Sequence, residues 1–331
     1  MDNQYNFVVR VNCMTYNHAP YIVDTMNGFT MQQTTFPFVC IIIDDASTDG
    51  EPDIISNYIE KNFDISNNSN TISKETDDYH LIFTRHKSNH NCYFVVILLK
   101  YNHYSTGKPK APYFKEWKTA KYISVCEGDD YWIEPMKLQK QVDFLENNPS
   151  YNMVYTRYKE NHSGTIKEGT WNLLEGNCIK PYLLRKGFIP TASVMFRSSF
   201  KFNHDYRRMN FPLSDAPLWI QLMHSGPIKL LPDETTVYRI IKGSASHPKD
   251  FKKKLLFLIG VLGCRKYFAD KYGYTDVSLV LEKEIKTNSL LLDLYNGQYK
   301  SFISSKPWKY GIGLKEIYGI LINKYNEKNL K

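Results

Sequence analysis

The sequence predicts an α/β protein: a mostly parallel sheet flanked by helices, with a helical extension at the C-terminal end. Three observations predict it. Apolar runs of strand length alternate with helical segments through the first half of the chain. Three of those runs stop abruptly at polar clusters. From residue 251 onward the pattern turns helical and basic.

Phe7 to Met14 is an apolar strand that ends in the turn Thr15-Tyr16-Asn17, and a helix follows from about Pro20 to Gln32. Phe38 to Ile43 is a continuous apolar run of the kind buried in parallel sheets. It ends at Asp44-Asp45-Ala46-Ser47-Thr48-Asp49-Gly50, which is turn and N-cap chemistry, and a second helix runs on to about Phe63. The polar stretch from Ser66 to Asp78 reads as a surface loop, and Leu81 to Thr84 as a third strand. Cys92 to Tyr104 is expected to be helical. Tyr122 to Cys126 is a fourth strand that runs straight into Glu127-Gly128-Asp129-Asp130. Pro135 suits a first helical turn, and Leu138, Val142 and Leu145 recur at helical spacing behind it. Tyr151 to Tyr155 and Ser193 to Arg197 are expected strands, and Ala216 to His224 a helix stopped by Gly226 and Pro227. The expected domains are residues 1–250 and a basic, mainly helical extension over 251–331.

At 331 residues the chain is long enough to bury a substantial core. A composition of 42% hydrophobic and 23% charged residues is ordinary for a soluble globular protein. The six cysteines form no CxxC pair, and Cys13, Cys40 and Cys126 sit in apolar runs as small buried hydrophobes. Met1 to Asn6 has no leader pattern and no apolar run reaches the ~20 residues of a membrane span, so a cytoplasmic location is expected. The net charge of +8 is uneven. Residues 1–250 hold 27 basic and 27 acidic side chains, and residues 251–331 hold 15 and 7. Lys252, Lys253, Lys254, Arg265 and Lys266 flank an apolar stretch, as in helices that lie on a membrane surface. Reversible contact with an anionic membrane at the inner face is therefore expected, against the plainer alternative of a solvated basic face.

In open parallel sheets, ligands bind beyond the carboxyl ends of the strands. Three strand ends here carry polar clusters, so the site is expected there. Glu127, Asp129 and Asp130 put three carboxylates within four residues, where mutual repulsion raises some of their pKa values. A divalent cation would relieve that conflict, and oxygen donors suit Mg²⁺ or Mn²⁺. A solvated acidic turn that caps the next helix explains the same spacing.

Taken in order, Thr15-Tyr16-Asn17, then Asp44 to Gly50, then Glu127-Gly128-Asp129-Asp130-Tyr131-Trp132 resemble a family-2 glycosyltransferase of GT-A fold, over residues 7 to about 245. The resemblance implies transfer of a sugar, with inversion, from a nucleotide-diphosphate donor (a UDP-sugar) to a glycan or lipid-linked glycan. It implies that Thr15, Tyr16 and Asn17 line the nucleoside pocket and that Asp45 accepts a hydrogen bond from the base. It implies that Asp129, with Asp130 and Glu127, holds Mn²⁺ or Mg²⁺ against the diphosphate, which Arg239 approaches. The segment Leu213 to Trp219 is similar to the family's late acidic motif, which makes Asp215 the general base; an N-cap aspartate fits the same residues. Two positions depart from the pattern. Glu127 stands where Asp is commoner. Ile240-Ile241 follow Val237-Tyr238-Arg239 where many relatives place a histidine; His247, six residues after Ile241, is either its substitute among the metal ligands or a plain surface loop residue.

Other classes are excluded or held as rivals. No glycine lies in Asn12 to Pro20, so a dinucleotide fold is excluded, and neither a P-loop nor a GxSxG elbow is present. No nucleic-acid-binding module is recognised. A metal-dependent sugar nucleotidyltransferase and a catalytically dead nucleotide-sugar-binding protein remain as alternatives.

Overall fold

The computed structural model of the chain describes residues 6–65, 71–117, 119–241, 243–244, 246–313, 315–317 and 319–320. They form two compact units. The first comprises residues up to Asn177 together with Phe188–Lys201 and Gly226–Arg239, and the second takes Cys178–Gly187, Phe202–Ser225 and the chain from Ile240 onward. The basic helical segment after residue 250 thus belongs to a unit that also includes two earlier stretches of the chain.

In chain order the first unit contains β1 (Val9–Thr15), α1 (Ile22–Thr30), β2 (Phe38–Asp44), α2 (Glu51–Asn62), β3 (Ile72–Glu75), β4 (Tyr79–Arg85), β5 (Cys92–Leu99) and α3 (His103–Thr106). It continues with β6 (Tyr122–Val125), β7 (Tyr131–Trp132), α4 (Lys137–Asn147), β8 (Met153–His162), β9 (Thr165–Glu168), β10 (Met195–Arg197) and β11 (Ile228–Arg239). Among the described residues these eleven strands make one sheet, in the order β3-β4-β5-β2-β1-β6-β10-β8-β11-β7, with β9 paired to β8. The predicted α/β class with helices on the sheet is what forms. The four strands β5, β2, β1 and β6 are mutually parallel, and antiparallel strands extend the sheet on both sides.

The pleat explains the core. Val9, Val11, Cys13, Cys40 and Ile42 face α1, α2 and α4, which contribute Ile22, Met26, Phe29, Ile55, Ile59, Leu138 and Val142. Val39, Ile41 and Ile43 alternate to the opposite face, with Phe83, Val95 and Ile97. Burial on both faces is why β2 reads as an unbroken apolar run.

Two expectations are corrected here. Cys92–Leu99 is a strand, not a helix, and pairs with both β2 and β4. Its run of aromatic and β-branched residues has no polar face because both of its faces are buried. The stretch expected as a loop from Ser66 to Asp78 contains β3, antiparallel to β4, while residues 66–70 lie outside the described residues.

The second unit is helical: α5 (Ile179–Leu183), α6 (Ala216–Ser225), α7 (Phe251–Lys271), α8 (Thr275–Tyr295) and α9 (Tyr299–Ser304). Asp250 caps α7, its Oδ1 accepting the Lys253 N–H at 2.7 Å. Leu255, Val261, Leu262, Cys264 and Phe268 of α7 are buried, so most of its apolar run serves this unit's interior. Arg265 is buried too and donates to the Tyr182 carbonyl, which removes it from the basic residues available to a surface. Among the described residues no helix is long and apolar enough to cross a membrane. All six cysteines are free and buried, as expected for Cys13, Cys40 and Cys126.

Candidate active site

Because β5, β2, β1 and β6 are parallel, their carboxyl ends lie together. Thr15 pairs in register with Asp44, Asp44 with Leu98, and Asn12 with Val125. The predicted polar clusters are therefore neighbours in space. The Asp45 N–H donates to the Thr15 carbonyl at 3.0 Å, and the Gly128 N–H to the Met14 carbonyl, also at 3.0 Å.

The first two clusters are stitched by a residue that the sequence did not single out. Glu51, at the start of α2, is fully buried. Its carboxylate accepts the Thr15 hydroxyl, the His18 N–H at 2.8 Å and the Ser47 hydroxyl at 2.9 Å. Asn17 takes the left-handed conformation with φ 56°, and its Oδ1 accepts the Thr48 N–H at 2.8 Å. Asp49 accepts the Ala19 N–H at 2.9 Å. Thr15 thus points inward and spends its hydroxyl on Glu51 and His18, whereas Tyr16 is exposed. Burial pushes the Asp44 carboxyl up to about 6, against the lowering effect of its Ser47 hydrogen bonds.

Asp45 is buried and engaged. It accepts the His103 N–H at 2.7 Å, the Tyr104 N–H at 3.1 Å and the Lys110 ammonium at 2.7 Å. It therefore anchors the start of α3 as well as standing where a base is expected.

The acidic turn is held from two sides. The Thr25 hydroxyl of α1 donates to the carbonyls of Gly128 at 3.0 Å and Asp130 at 2.6 Å. On the other side β7 pairs with β11, Tyr131 opposite Val237, which brings Arg239 to the turn. The Arg239 N–H donates to Asp130 Oδ1 at 2.8 Å and its guanidinium to the Asp129 carbonyl at 2.6 Å. The same guanidinium pairs with Asp24 and lies over the rings of Tyr21 and Tyr131, 4.9 and 4.3 Å from their centroids.

The three carboxylates do not converge. Asp130 is buried, and that burial, then the charge of Asp129, pushes its carboxyl well above the usual range. Glu127 is half-buried, and Asp129 keeps about a quarter of its side chain exposed, with Oδ2 3.8 Å from His18 Nε2. Among the described residues no group of three or more His, Cys, Asp or Glu side chains is poised to hold a metal. What remains, one accessible carboxylate facing an imidazole, fits a divalent ion that takes most of its oxygens from a ligand, as Mg²⁺ does in phosphate sites. Asp215 and His247 belong to the second unit. Asp215 precedes α6, its carbonyl accepting the N–H groups of Leu218 and Trp219 and its Oδ1 that of Ala216 at 2.7 Å. His247 lies in a turn in which its carbonyl accepts the Gly243 N–H at 2.8 Å.

Comparison with known proteins bears out the resemblance read from the sequence. Residues 13–73 match the family described as Glycosyl transferase family 2. The matched span holds Thr15, Asp45 and Glu51 but neither the acidic turn nor Asp215. An uncharacterized protein of Mycobacterium tuberculosis, Rv1520, and one of Mycobacterium bovis, Mb1547, are each 28% identical over 235 residues, 68% of this chain. The chain spans 57% of the length of these relatives. Two solved structures are among those similar to this chain. S. aureus TarS 1-349 in complex with UDP has 12% identity and a TM-score of 0.49, covering 98% of this chain and 92% of that one. The mannosyltransferase PcManGT from Pyrobaculum calidifontis, in complex with GDP-Man and Mn²⁺, has 12% identity and a TM-score of 0.47, covering 98% and 87%.

Proposed function

With residues 13–73 matching the family-2 glycosyl transferases, we propose that the chain moves one sugar from a nucleotide-diphosphate donor, a UDP-sugar, to a glycan or lipid-linked glycan. One observation carries the proposal: the acidic turn Glu127–Asp130 is held beside Thr15 and Asp45 at the carboxyl ends of the central parallel strands, with Arg239 braced against it.

In this reading Tyr16, Asn17 and Asp45 receive the nucleoside, and Asp129 holds the Mn²⁺ or Mg²⁺ of the donor. Such an ion stabilises negative charge on a departing diphosphate, worth several kcal/mol. The buried Asp130 serves as a brace: it fixes the Arg239 backbone, and the Arg239 guanidinium in turn fixes the Asp129 carbonyl. Asp215 takes the proton from the acceptor hydroxyl as that oxygen attacks the anomeric carbon opposite the leaving nucleotide, which inverts the centre. Lys252, Lys253, Lys254 and the half-exposed Leu256 of α7 form the contact with an anionic membrane surface.

Thermal melting of the full chain with UDP, GDP and their sugars, with and without Mn²⁺, tests the proposal. A ligand at a hundred times its dissociation constant stabilises by about 2.7 kcal/mol. A shift with a uridine nucleotide that requires the metal, and that Asp129→Asn removes without lowering the unliganded melting temperature, is expected. No shift with any nucleotide overturns the reading, and binding without sugar transfer identifies a dead transferase scaffold.

A further inference from the structure

We propose that His18 is a ligand of the donor-site metal, its Nε2 sharing the ion with Asp129. The proposal rests on the transferase reading above and concerns a residue to which neither the family motif nor the acidic turn gives a role.

The orientation of the imidazole follows from its neighbours. The Glu51 carboxylate only accepts hydrogen bonds, so the Thr15 hydroxyl must donate to it. Toward His18, 3.2 Å away, the same oxygen is then an acceptor, and Nδ1 carries the hydrogen. Nε2, on the far side of the ring, then faces Asp129 Oδ2 across 3.8 Å. An imidazole nitrogen and a carboxylate oxygen at that separation are a donor pair that one divalent cation can take between them. Ligands that each stand ~2.1 Å from one ion lie roughly 3–4 Å apart, so little movement is needed.

The surroundings are built as a metal-bound histidine requires. Such a histidine donates its other ring nitrogen to a fixed acceptor, which sets the tautomer and orients the ring. Here that acceptor is Thr15, locked by the buried Glu51, which also accepts the His18 backbone N–H at 2.8 Å. Gly128 lets the acidic turn close onto this pair: a Cβ there would stand 2.2 Å from Thr15 Oγ1 and 3.1 Å from His18 Nδ1. An imidazole beside a carboxylate also shifts preference from Mg²⁺ toward Mn²⁺, because nitrogen donors favour transition metals. The plainer explanation is an ion pair between imidazolium and Asp129, which requires no metal.

Pulsed electron paramagnetic resonance of Mn²⁺ bound to the full chain with UDP separates the two. Nitrogen modulation from a coordinated imidazole is expected in the wild type and is expected to vanish in His18→Gln, with His18→Asn as a second variant should the first fail to fold. Thr15→Val, which removes the acceptor for Nδ1, is expected to weaken Mn²⁺ about 10–100-fold, the usual effect of losing such a support. Mn²⁺ bound together with UDP but without nitrogen modulation, or with modulation that survives in His18→Gln, overturns the role of His18 and leaves the transferase reading standing. No metal-dependent UDP binding at all overturns both.

Discussion

Gly128 and Thr15 are packed so closely that any side chain at residue 128 collides with the threonine: an added Cβ would lie 2.2 Å from its Oγ1 and 2.6 Å from its Cβ. The strand-end threonine and the acidic turn therefore fit only in the absence of a side chain. Gly128→Ala is expected to cost about 1–3 kcal/mol, as overpacking in a tight interior does, and to abolish metal-dependent nucleotide binding by pushing Asp129 away. Urea unfolding with a UDP–Mn²⁺ titration measures both, and wild-type affinity in the variant would show that the turn can move without consequence.

Lys110 and a donor base compete for the same carboxylate. Asp45 already accepts two backbone N–H groups and the Lys110 ammonium. Lys110→Met is therefore expected to tighten UDP binding on the order of tenfold, the equivalent of one charge-assisted hydrogen bond that no longer has to be displaced. Calorimetric titration decides it. Weaker binding would mean that Lys110 touches the nucleotide directly.

Asp215→Asn separates chemistry from capping. The amide preserves size and still accepts the Ala216 N–H, but it cannot take a proton. A fall in kcat of about 10²–10⁴-fold at unchanged donor affinity is expected of a general base. If Asp215 only caps α6, Asp215→Ala costs about 0.5–2 kcal/mol and turnover persists. Steady-state kinetics at saturating donor and melting curves of both variants give the answer.

Lys137 makes stability depend on pH. It is fully buried against Gln141 and the Trp132 ring, and burial brings its ammonium down to about 7. The unfolded chain holds that proton up to about pH 10.4 and the folded chain only to about 7. Between those values the unfolded state binds more protons, so stability rises with pH, and below pH 7 the penalty is constant. The penalty there is on the order of 5 kcal/mol at most. Lys137→Met is expected to be more stable at pH 7 and to lose the rise between pH 7 and 9.5. Parallel urea-unfolding curves for both proteins across that range would refute the burial effect.

The surface of α7 is tested by co-sedimentation with vesicles containing anionic lipid. Binding that fades with salt, and that falls when Lys252, Lys253 and Lys254 are replaced together by Gln, is expected at about 1 kcal/mol per lysine near the membrane. Equal binding to neutral vesicles would remove the electrostatic contact.

The sequence made β1, β2 and β6 readable, since each is an apolar run cut off by turn residues, and it therefore located the strand-end clusters. It failed at β5, where a strand buried on both faces has the same apolar content as a buried helix. β11 was not foreseen because Pro232, Asp233 and Glu234 interrupt it, and its register with β8 shifts there. In the site, residue identity showed where carboxylates gather but not which way they turn. Asp130 faces inward because Arg239, 109 residues later, comes to meet it. Glu51 and His18 were missed for the same reason, since their roles depend on contacts across two loops. His18 adjoins Thr15-Tyr16-Asn17, and that adjacency was the one available signal.

The six buried cysteines give the protein an internal clock. Cys13, Cys40, Cys92 and Cys126 lie in the first unit, and Cys178 and Cys264 in the second. Burial raises the thiols of Cys13, Cys40 and Cys126 well above their ordinary value and those of Cys178 and Cys264 to about 11 and 12. At these five positions thiolate, the species that reacts, is therefore nearly absent in the closed state. Each labelling event must wait for an opening, and its rate reports how often that unit breathes. Two sets of thiols on one chain time the two units separately, with no engineered probe.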